Sequence, residues 1–471
     1  MSYQNKGETT AVVTVTSEGR GGNFTFAAGA DPAVAIEAAW SYLNTLGGGT
    51  LITKGAGETW TVQSQIDSQG DNVHWMSDWS LVIEAQGGLN THVIELTDDR
   101  IVLEGLHIDG NHETGEWGAG EYHCIQLWGS SNTKILRCRI KEAHNYGIFT
   151  RGTSEHVEIA NCWFHNCCWN NVSLGAYSSY YDIHDNLIEE TSGIGLAITN
   201  VDYYGAYFNI HDNIVRNVIY DESPANAGWG IAIEGLADYV KICDNIIENC
   251  RGAGIVASDS SYTKKAPLIS NNILENCGND QAGTIFAAGI FAAVTEGMII
   301  EGNVIMDCGV NNGYGIYLHP AELENTDYAV RDNTIRVQSG TTITTKFYGI
   351  YTGGGNGDVT NNLIVMEPSG ASQIGIYISA TSDSLVKGNS LRDIEDNGIY
   401  MAGNADNNYI AENYFENVGT GLNISAGTVD DTFVHSNDFY GCTTDVSNSG
   451  TGTTWGSNRD QNGNFDQGVE P

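Results

Sequence analysis

Five side chains of this chain are the best candidates for acid–base chemistry. They are Glu234, Asp202, Asp259, His319 and Arg151. Two carboxyl groups that flank a glycosidic bond, one of them protonated, can hydrolyse it, and Glu234 could form such a pair with Asp202 or Asp259. An arginine beside a general base suits another reaction, because a cation that neutralises a uronate carboxylate eases removal of the adjacent proton. Arg151 is the candidate for that role, in elimination or epimerisation.

Aromatic side chains recur two residues after a repeated glycine. This column contains Phe291, Tyr317, Tyr351, Tyr377 and Tyr400, and Trp229 directly precedes another glycine of the series. Rings on successive repeats would form a flat apolar strip with polar tips, which suits the C–H faces and hydroxyls of sugars. The alternative is that the rings stack only to stabilise an exposed sheet.

Histidines at equivalent places in neighbouring repeats could bind a metal ion. His184 and His211 would lie about 5 Å apart if their repeats stack, and paired imidazoles can hold a transition metal. Asp185 and Asp212 follow them, and a column of carboxylates favours Ca²⁺. The geometry of an Asx turn explains an Asp before Asn equally well. The chain requires no cofactor, and Ca²⁺ is the ion that these residues could accommodate.

A repeat of 24 to 32 residues must position all of these side chains. Its anchor residue is usually Asn, at positions Cys138, Cys162, Asn186, Asn213, Asn245, Asn272, Asn303, Asn333, Asn362, Asn389, Asn413 and Asn437. Ile or Val stands three residues before every anchor, and a large apolar residue stands two residues after it. Such repeats are typical of solenoids, in which each unit buries its apolar face against its neighbours.

A second series, Gly followed by Ile or Leu, lies between the anchors. It runs from Gly147-Ile148 to Gly421-Leu422, and period-2 alternation follows each pair. Each repeat therefore predicts three short strands that point aliphatic side chains at one interior. We expect the glycine to face outward, where a ligand could approach the backbone, unless it serves a turn with positive φ. Insertions on one side of a solenoid usually mark its binding face. Here they flank the Gly-Ile strands at 200–207, 219–229, 259–265, 279–288, 319–328 and 339–348.

The two ends of the chain differ from the repeats. Asp31 before Pro32 predicts a helix N-cap, and the apolar spacing that follows predicts an amphipathic cap helix at about 32–45. We expect a lead-in at 1–30, a solenoid at 31–445 and a polar tail at 446–471.

These features resemble the right-handed parallel β-helix superfamily, the pectate-lyase-like group. The resemblance rests on the helix followed by Gly-Gly-Gly-Thr-Leu at 47–51, the Asp109-Gly110-Asn111 coil, and the Asn and Gly-Ile series. It implies an all-β, single-stranded right-handed parallel β-helix of about 12–13 coils with an N-terminal capping helix. It also implies that the Gly-Ile strands form the sheet that carries the cleft.

Members of that group include polysaccharide lyases, hydrolases, uronate epimerases, phage tailspikes and adhesins, so the fold alone does not choose among them. The strand comparable to the Asp-Pro-His motif of alginate epimerases reads Phe-Thr-Arg-Gly at 149–152. We therefore expect a carbohydrate-active protein that binds and processes an extracellular polysaccharide as a lyase, epimerase or hydrolase. The alternative is a non-catalytic glycan-binding or structural rod, such as a tailspike, an adhesin or a filament subunit.

The net charge of −38, from 58 acidic and 20 basic residues, limits the partners of the chain. It excludes general binding to nucleic acid and to anionic membranes, and no apolar stretch is long enough to span a membrane. The first residues contain no apolar signal core. We expect an extracellular or virion-surface protein, monomeric or homotrimeric. Cys138 and Cys162 take the anchor column, and Cys250, Cys277 and Cys308 share another, which predicts small buried thiols; Cys167, Cys168 and Cys442 stay open.

Overall fold

The computed structural model of the chain describes most of its residues. These are residues 11–112, 122–175, 177–219, 228–258, 263–279, 287–293, 295–319, 327–338, 340–343, 345–367, 369–379, 381–403, 405–425, 429, 431–450, 452–460 and 465–467, with the side chains of 200–204 and 465–467 left out. The fold is a nearly all-β parallel solenoid of about 13 turns. Each strand pairs in parallel with the equivalent strand one coil further on, as the repeat predicts. The chain divides into two compact units.

The first unit contains the described residues up to Ser192 together with Tyr203–Phe208. Its Gly-Ile strands and their equivalents are Ile66–Asp67, Ile94–Leu96, Ile125–Trp128, Tyr146–Arg151 and Asn170–Leu174. The strands before the anchors are Val12–Ser17, Gly49–Lys54, Val73–Ser77, Val102–Glu104, Lys134–Leu136, Glu155–Ala160 and Ser179–His184, with Phe24–Phe26 paired to the first of them. The strands after the anchors are Thr59–Val62, Val82–Ala85, His107–Asp109, Arg139–Lys141, Trp163–His165 and Leu187–Glu189. One further strand, Ile194–His211, supplies residues to both units.

The second unit contains Gly193–Asp202 and the described residues from Asn209 onwards. Its Gly-Ile strands are Trp229–Asp238, Ile255–Ser258, Ala288–Ala292, Gly313–Leu318, Lys346–Gly353, Ser372–Ser379, Asn397–Ala402, Thr420–Ile424 and Thr444–Asn448. Before the anchors come Lys241–Cys243, Leu268–Ser270, Ile299–Glu301, Tyr328–Arg331, Gly357–Thr360, Leu385–Lys387, Tyr409–Ala411, Phe433–His435 and Thr454–Trp455. After them come Ile214–Arg216, Ile246–Glu248, Ile273–Glu275, Val304–Met306, Thr334–Val337, Leu363–Met366, Ser390–Arg392, Tyr414–Glu416, Asp438–Tyr440, Ser457–Arg459 and the antiparallel Phe465–Gln467. Lys264–Lys265 pairs with Thr295–Glu296.

The predicted capping helix is confirmed in the first unit. The one α-helix among the described residues spans Pro32–Thr45, with the Asp31 carboxylate accepting a hydrogen bond from the Ala33 N–H. Its apolar face, which includes Ile36, Trp40 and Leu43, is fully buried. None of the helical segments that the structure describes combines the length and apolar character that crossing a membrane requires.

Asparagine anchors form a continuous ladder inside the second unit, from Asn213 to Asn458. Each side-chain Oδ1 accepts the backbone N–H of the anchor one coil earlier, at 3.0 Å throughout. The side-chain Nδ2 of that earlier anchor donates a second hydrogen bond to the same Oδ1 atom, at 2.9–3.1 Å. Buried amides need such complete pairing. Because Asn458 and its strand continue the ladder, the solenoid extends beyond the predicted boundary at residue 445.

Cysteines take the anchor position in two coils of the first unit. The Cys138 N–H donates to the Cys162 sulfur at 3.4 Å, and the Cys162 N–H donates to Asn186 Oδ1 at 2.9 Å. All ten cysteines are free thiols and nine are buried, Cys243 being partly exposed, and the prediction is confirmed for the five cysteines of the two repeat columns.

The residue before each anchor adopts a left-handed backbone conformation. Asp185 has φ 54° and Asp212 has φ 54°, and the equivalent residues of later coils include Asn, Asp and Gly. Asp, Asn and Gly tolerate this conformation best. The turn therefore explains the column of acids that suggested Ca²⁺.

The repeated glycines of the Gly-Ile strands face inward, which differs from the prediction that they face outward or adopt positive φ. A Cβ on Gly375 would lie 2.3 Å from Leu391 Cδ2 and 2.6 Å from the Gly398 carbonyl oxygen. The ladder pairings skip this position, joining Tyr348 to Ile374 and Ile350 to Ile376. Glycine is therefore required by close approach inside the coil, and it offers no surface to a ligand.

Candidate functional site

An aromatic surface lies on the outward side of the Gly-Ile strands in the second unit. We call it the tyrosine strip and define it by Tyr314, Tyr317, Tyr348, Tyr351, Tyr377 and Tyr400, all partly exposed. Strand pairing places Tyr317 opposite Tyr351, Tyr351 opposite Tyr377 and Tyr377 opposite Tyr400. The predicted column therefore exists over these four coils. Sequence reasoning missed Tyr314 and Tyr348, although each directly precedes a repeated glycine.

The rings of the tyrosine strip fall into two perpendicular sets. Tyr377 stacks on Tyr351 with centroids 4.7 Å apart and on Tyr400 at 5.2 Å. Tyr314 stacks on Tyr317 at 3.9 Å and on Tyr348 at 5.1 Å. Tyr317 meets Tyr351 edge to face, at an interplanar angle of 90°. Offset stacks leave part of each ring face uncovered, so the strip presents ring faces, edges and hydroxyls in a regular pattern.

The same column is buried in the coils that precede the strip. Ala232, Val256 and Phe291 are 0%, 0% and 1% exposed, and they pack in one apolar cluster with Trp229, which is 9% exposed. Tyr314 and Tyr317 pack against this cluster. A covered ring cannot stack on a sugar, so the structure differs from the prediction that Phe291 and Trp229 contact a ligand. These two side chains support the end of the strip instead.

Four phenols of the strip, those of Tyr314, Tyr317, Tyr348 and Tyr377, have a raised pKa. Burial, followed by the neighbouring tyrosines, raises the pKa of Tyr314 to about 12 and that of Tyr377 to about 12. Burial also raises the pKa of Tyr317 and of Tyr348. Each hydroxyl can therefore both donate and accept a hydrogen bond at physiological pH. Lys346 lies over the Tyr348 ring, 4.6 Å from its centroid, and adds a positive charge at the edge of the strip.

The structure does not bring Glu234 and His319 together. Glu234 lies opposite Ser258 on the next coil, and His319 lies three strands from Glu234, about 14 Å away. His319 packs beside Tyr317, with ring centroids 5.3 Å apart, and burial lowers the pKa of His319. It therefore borders the strip as a neutral imidazole at physiological pH. Asp259 and the side chain of Asp202 lie outside the described residues.

The outward columns of the tyrosine-strip coils contain no carboxylate among the described residues. Beside the six tyrosines these columns hold His319, Gly353, Ile374, Ser379, Asn397 and Ala402. Hydrolysis of a glycosidic bond normally needs two carboxyl groups.

Equivalent strands of the first unit carry a different outward surface. We call it the polar cluster and define it by His92, Glu95, His123, Gln126, Trp128, Tyr146, Phe149 and Arg151. The Gln126 amide donates to Glu95 Oε1 at 2.9 Å, and the Gln65 amide donates to Glu95 Oε2. Phe149 stacks on Tyr146 at 5.0 Å and lies 4.8 Å from the His123 ring. Of the predicted catalytic residues, only Arg151 belongs to this cluster.

His123 is the most unusual side chain of the polar cluster. It is 2% exposed, and neither ring nitrogen has a hydrogen-bond partner in the part of the chain that the structure describes. Burial, followed by His92 and Arg151, lowers the pKa of His123 to about 2, so the ring is neutral. An unsatisfied buried group costs about 1–3 kcal/mol and often marks a functional site. Sequence reasoning missed it because His123 stands two residues before an Ile without the usual Gly.

Arg151 packs against an aromatic ring at the exposed edge of the polar cluster. Its guanidinium lies 5.0 Å from the centroid of Trp128, which is 48% exposed. The two residues occupy the same outward column on adjacent coils. This cation–π contact holds a positive charge where a ligand can reach it.

Each predicted metal-binding histidine lies beside the carboxylate that follows it in the sequence. His184 Nδ1 lies 2.7 Å from the Asp185 carboxylate, and His211 Nδ1 lies 2.7 Å from the Asp212 carboxylate. No group of three or more His, Cys, Asp or Glu side chains within the described residues could hold a metal ion.

Comparison with known proteins agrees with this fold. The parallel coils define a right-handed β-solenoid protein. The family model described as "Right handed beta helix region" matches residues 123–345 and 325–460, and the chain belongs to that family. No curated protein sequence matches the chain significantly.

Two solved structures are similar in fold. The Dettilon tailspike protein (gp208) has 16% sequence identity and a TM-score of 0.53, over 79% of this chain and 66% of its own length. The pre-mature gene product 12 of bacteriophage phi29 has 12% identity and a TM-score of 0.58, over 94% of this chain and 56% of its own length. The chain therefore spans less than two thirds of each, and at these identities the likeness shows the fold alone.

Proposed function

We propose that this protein binds a polysaccharide along the tyrosine strip of the second unit. The observation that carries the proposal is the row of partly exposed, stacked rings on successive coils, Tyr351, Tyr377 and Tyr400. A polymer of sugar rings lying along the coil axis would meet one phenol per coil, about every 4.8 Å. The C–H faces of sugars pack on aromatic carbons, and their hydroxyls pair with the phenol oxygens.

Charge favours a weakly charged glycan as the ligand. The net charge of −38 opposes binding of a polyanion over long distances. The outward columns of these coils contribute no arginine among the described residues, and Lys346 is the cation beside them. A neutral polysaccharide avoids this repulsion, whereas an acidic one would need Ca²⁺ to bridge the two negative surfaces.

Affinity measurements on single variants test this proposal. The wild-type protein is titrated with a panel of neutral and uronate-containing polysaccharides, with and without Ca²⁺, and Tyr351→Ala and Tyr377→Ala are compared on the best ligand. We expect each variant to bind about 10-fold or more weakly, because aromatic anchors dominate such interfaces. Tyr409→Ala is the matched control, since Tyr409 is an exposed, stacked tyrosine on a strand before an anchor. Unchanged affinity in both strip variants, or no binding by the wild type, contradicts the proposal.

A second candidate function is uronate chemistry at the polar cluster. Arg151 could neutralise a uronate carboxylate, and the unpaired imidazole of His123, next to Tyr146 at 4.9 Å between ring centroids, could take part in proton transfer. Glu234 and His319 would then have no catalytic role. The observation that favours this function is the buried His123 ring without a partner among the described residues.

Ultraviolet absorbance tests the second candidate. Elimination creates an unsaturated uronate that absorbs, so the wild type should raise the absorbance of a uronate polymer and Arg151→Ala should slow the rise about 100-fold or more. The matched control is Arg139→Ala, because Arg139 also lies over a tryptophan, 5.8 Å from the Trp79 ring, but on a strand after an anchor. If Arg151→Ala and Arg139→Ala slow the rise in absorbance equally, the substitutions disturbed packing and not a catalytic group.

We extend the proposal to the location and the oligomeric state of the protein. The Dettilon protein is a tailspike. We propose an extracellular or virion-surface location for this chain. Light scattering of the purified chain distinguishes a monomer from a homotrimer.

A further inference from the structure

The middle phenols of the tyrosine strip repeat with a regular step. Tyr317, Tyr351, Tyr377 and Tyr400 stand on four successive coils. Their ring centroids are 5.0, 4.7 and 5.2 Å apart, in that order. A polymer that contacts every ring must therefore advance by about one strand spacing, close to 4.8 Å, with each of its units.

This row of phenols has two defined ends. On the coil before Tyr317 the equivalent ring is Phe291, which is only 1% exposed. On the coil after Tyr400 the equivalent residue is Asn423. The row therefore offers four consecutive ring contacts to a ligand.

The two sides of the row differ in height. On one side the next outward column holds Gly353, Ser379 and Ala402, whose side chains are short. On the other side Tyr314 and Tyr348 stand opposite each other on neighbouring coils. Short side chains along one flank leave room for a polymer to lie lengthwise against the phenols, in the direction of the coil axis.

The linkages of a polysaccharide decide whether it can follow such a row. A pyranose ring whose two glycosidic bonds are both equatorial continues the chain straight across the ring, so that successive sugars form a flat ribbon. Each sugar then advances the ribbon by the length of one ring and a bridging oxygen, which is close to the strand spacing of about 4.8 Å. A ring with one axial bond turns the chain, and such a polymer curves away from a straight row.

We propose, on the basis of the polysaccharide binding proposed above, that the ligand of the strip is a ribbon of neutral sugars joined by equatorial 1,4 bonds. The β-1,4-glucans and β-1,4-mannans belong to this class. One sugar contacts each of the four phenols in the row. The net charge of −38 favours neutral sugars over uronates. A stiff ribbon also loses less conformational freedom on binding than a coiled chain does.

Calorimetric titration with short oligosaccharides tests the linkage and the number of contacts. The probes are β-1,4-linked cello- and manno-oligosaccharides and α-1,4-linked malto-oligosaccharides of two to six sugars, added to the full-length chain. We expect the affinity for a β-1,4 series to increase about 10-fold or more from two to four sugars, and less than about 2-fold from four to six. Maltohexaose should bind about 10-fold or more weakly than the β-1,4-linked hexaose.

Two variants move the end of the row in opposite directions. Tyr400→Ala removes the last ring, so the affinity should reach its plateau at three sugars. Asn423→Tyr adds a ring on the next coil, so the plateau should move to five sugars. Tyr409→Ala is the matched control and should leave the plateau at four, because this exposed tyrosine lies on a strand before an anchor. Circular dichroism checks that each variant is folded.

Three results would overturn the proposed ligand class while polysaccharide binding itself stands. Maltohexaose binds as tightly as the β-1,4-linked hexaoses, or the plateau stays at four sugars in both Tyr400→Ala and Asn423→Tyr, or a uronate polymer binds and neither β-1,4-linked hexaose does. If no oligosaccharide and no polysaccharide binds, the proposed function of the strip fails together with its ligand class.

Discussion

The second unit contains two columns of repeated residues, one inside the coils and one outside. The inner column, the asparagine ladder, runs without interruption from Asn213 to Asn458. The outer column changes along the same coils, from Ala232 and Val256 through the tyrosines to Asn423 and Ser447. Every coil needs its asparagine, but most coils fold without a tyrosine.

This difference separates residues that the fold requires from residues that serve another purpose. A buried amide must satisfy all its hydrogen bonds, so an asparagine within the ladder cannot be replaced alone without loss of stability. The outer column holds buried Ala232 and Val256 in two coils and Asn423 and Ser447 in two others, so four tyrosines on consecutive coils are not a condition of folding. The asparagines that repeat inside the coil are therefore residues that folding requires. The tyrosines that repeat outside it agree with the proposed ligand surface.

Replacing an inner asparagine should have the largest effect on stability. Asn303 is 0% exposed; its Nδ2 donates to the Ile269 carbonyl at 3.0 Å, and its Oδ1 accepts from Asn272. Asn303→Ala leaves several buried groups unpaired, and we expect the free energy of unfolding to fall by about 3–5 kcal/mol. Denaturant unfolding measures it.

The outer asparagine Asn423 provides the matched control for this prediction. Its amide makes one side-chain hydrogen bond, to Asn397 at 3.0 Å, in a partly exposed position. Asn423→Ala should cost about 0.5–1 kcal/mol. Similar losses in the two variants would show that the inner ladder has no special structural role.

Adding a methyl group to an inward glycine should have the next largest effect. A Cβ on Gly375 would overlap the backbone oxygen of Gly398 at 2.6 Å, which cannot move without distorting the neighbouring strand. We expect Gly375→Ala to lower the free energy of unfolding by about 2–3 kcal/mol. At Gly87 a Cβ meets nothing within 4 Å. Gly87→Ala should therefore leave the denaturation midpoint unchanged, and an equal shift in both variants would argue against close approach as the cause.

The sequence predicts the inner columns well, because the equivalent position is buried in every coil and therefore recurs at a regular spacing. Ile148, Leu196 and Ile231 are all fully buried, as their spacing indicates, and the helix at Pro32–Thr45 follows from its N-cap and apolar spacing. The direction of the glycines could not be predicted in the same way. Strict alternation assigns Gly375 to the outside, but the strand pairing is interrupted at Gly349 and Gly375, and Gly375 and Ile376 both lie inside.

The candidate site is only partly predictable from the sequence, because exposure depends on more than strand register. Tyr351, Tyr377 and Tyr400 lie where alternation places them. Phe291 belongs to the same column, yet packing against Trp229 and Ala288 buries it.

A double-mutant cycle on the strip should show a smaller effect on stability. Tyr351 and Tyr377 stack at 4.7 Å with planes 10° apart. We expect a coupling free energy of about 0.5–1.5 kcal/mol between Tyr351→Ala and Tyr377→Ala in denaturant unfolding. Tyr351 and Asn423 are separated by intervening coils, so their cycle should show no coupling. If the cycle on Tyr351 and Tyr377 also gives no coupling free energy, the two rings do not stabilise each other. The strip is then not an ordered surface for a ligand.

Titration of the Tyr377 phenol at alkaline pH should produce the smallest effect on stability. The pKa of Tyr377 is raised to about 12 in the folded protein, against about 10 for an unfolded tyrosine. Between these values the folded state holds the proton more tightly, so its stability is unaffected below about pH 10 and declines as pH rises through about 12. Unfolding midpoints across this range should fall less steeply in Tyr377→Phe than in the wild type. The inner asparagines do not titrate. If the unfolding midpoint of Tyr377→Phe falls with pH as steeply as that of the wild type, the decline comes from groups other than Tyr377.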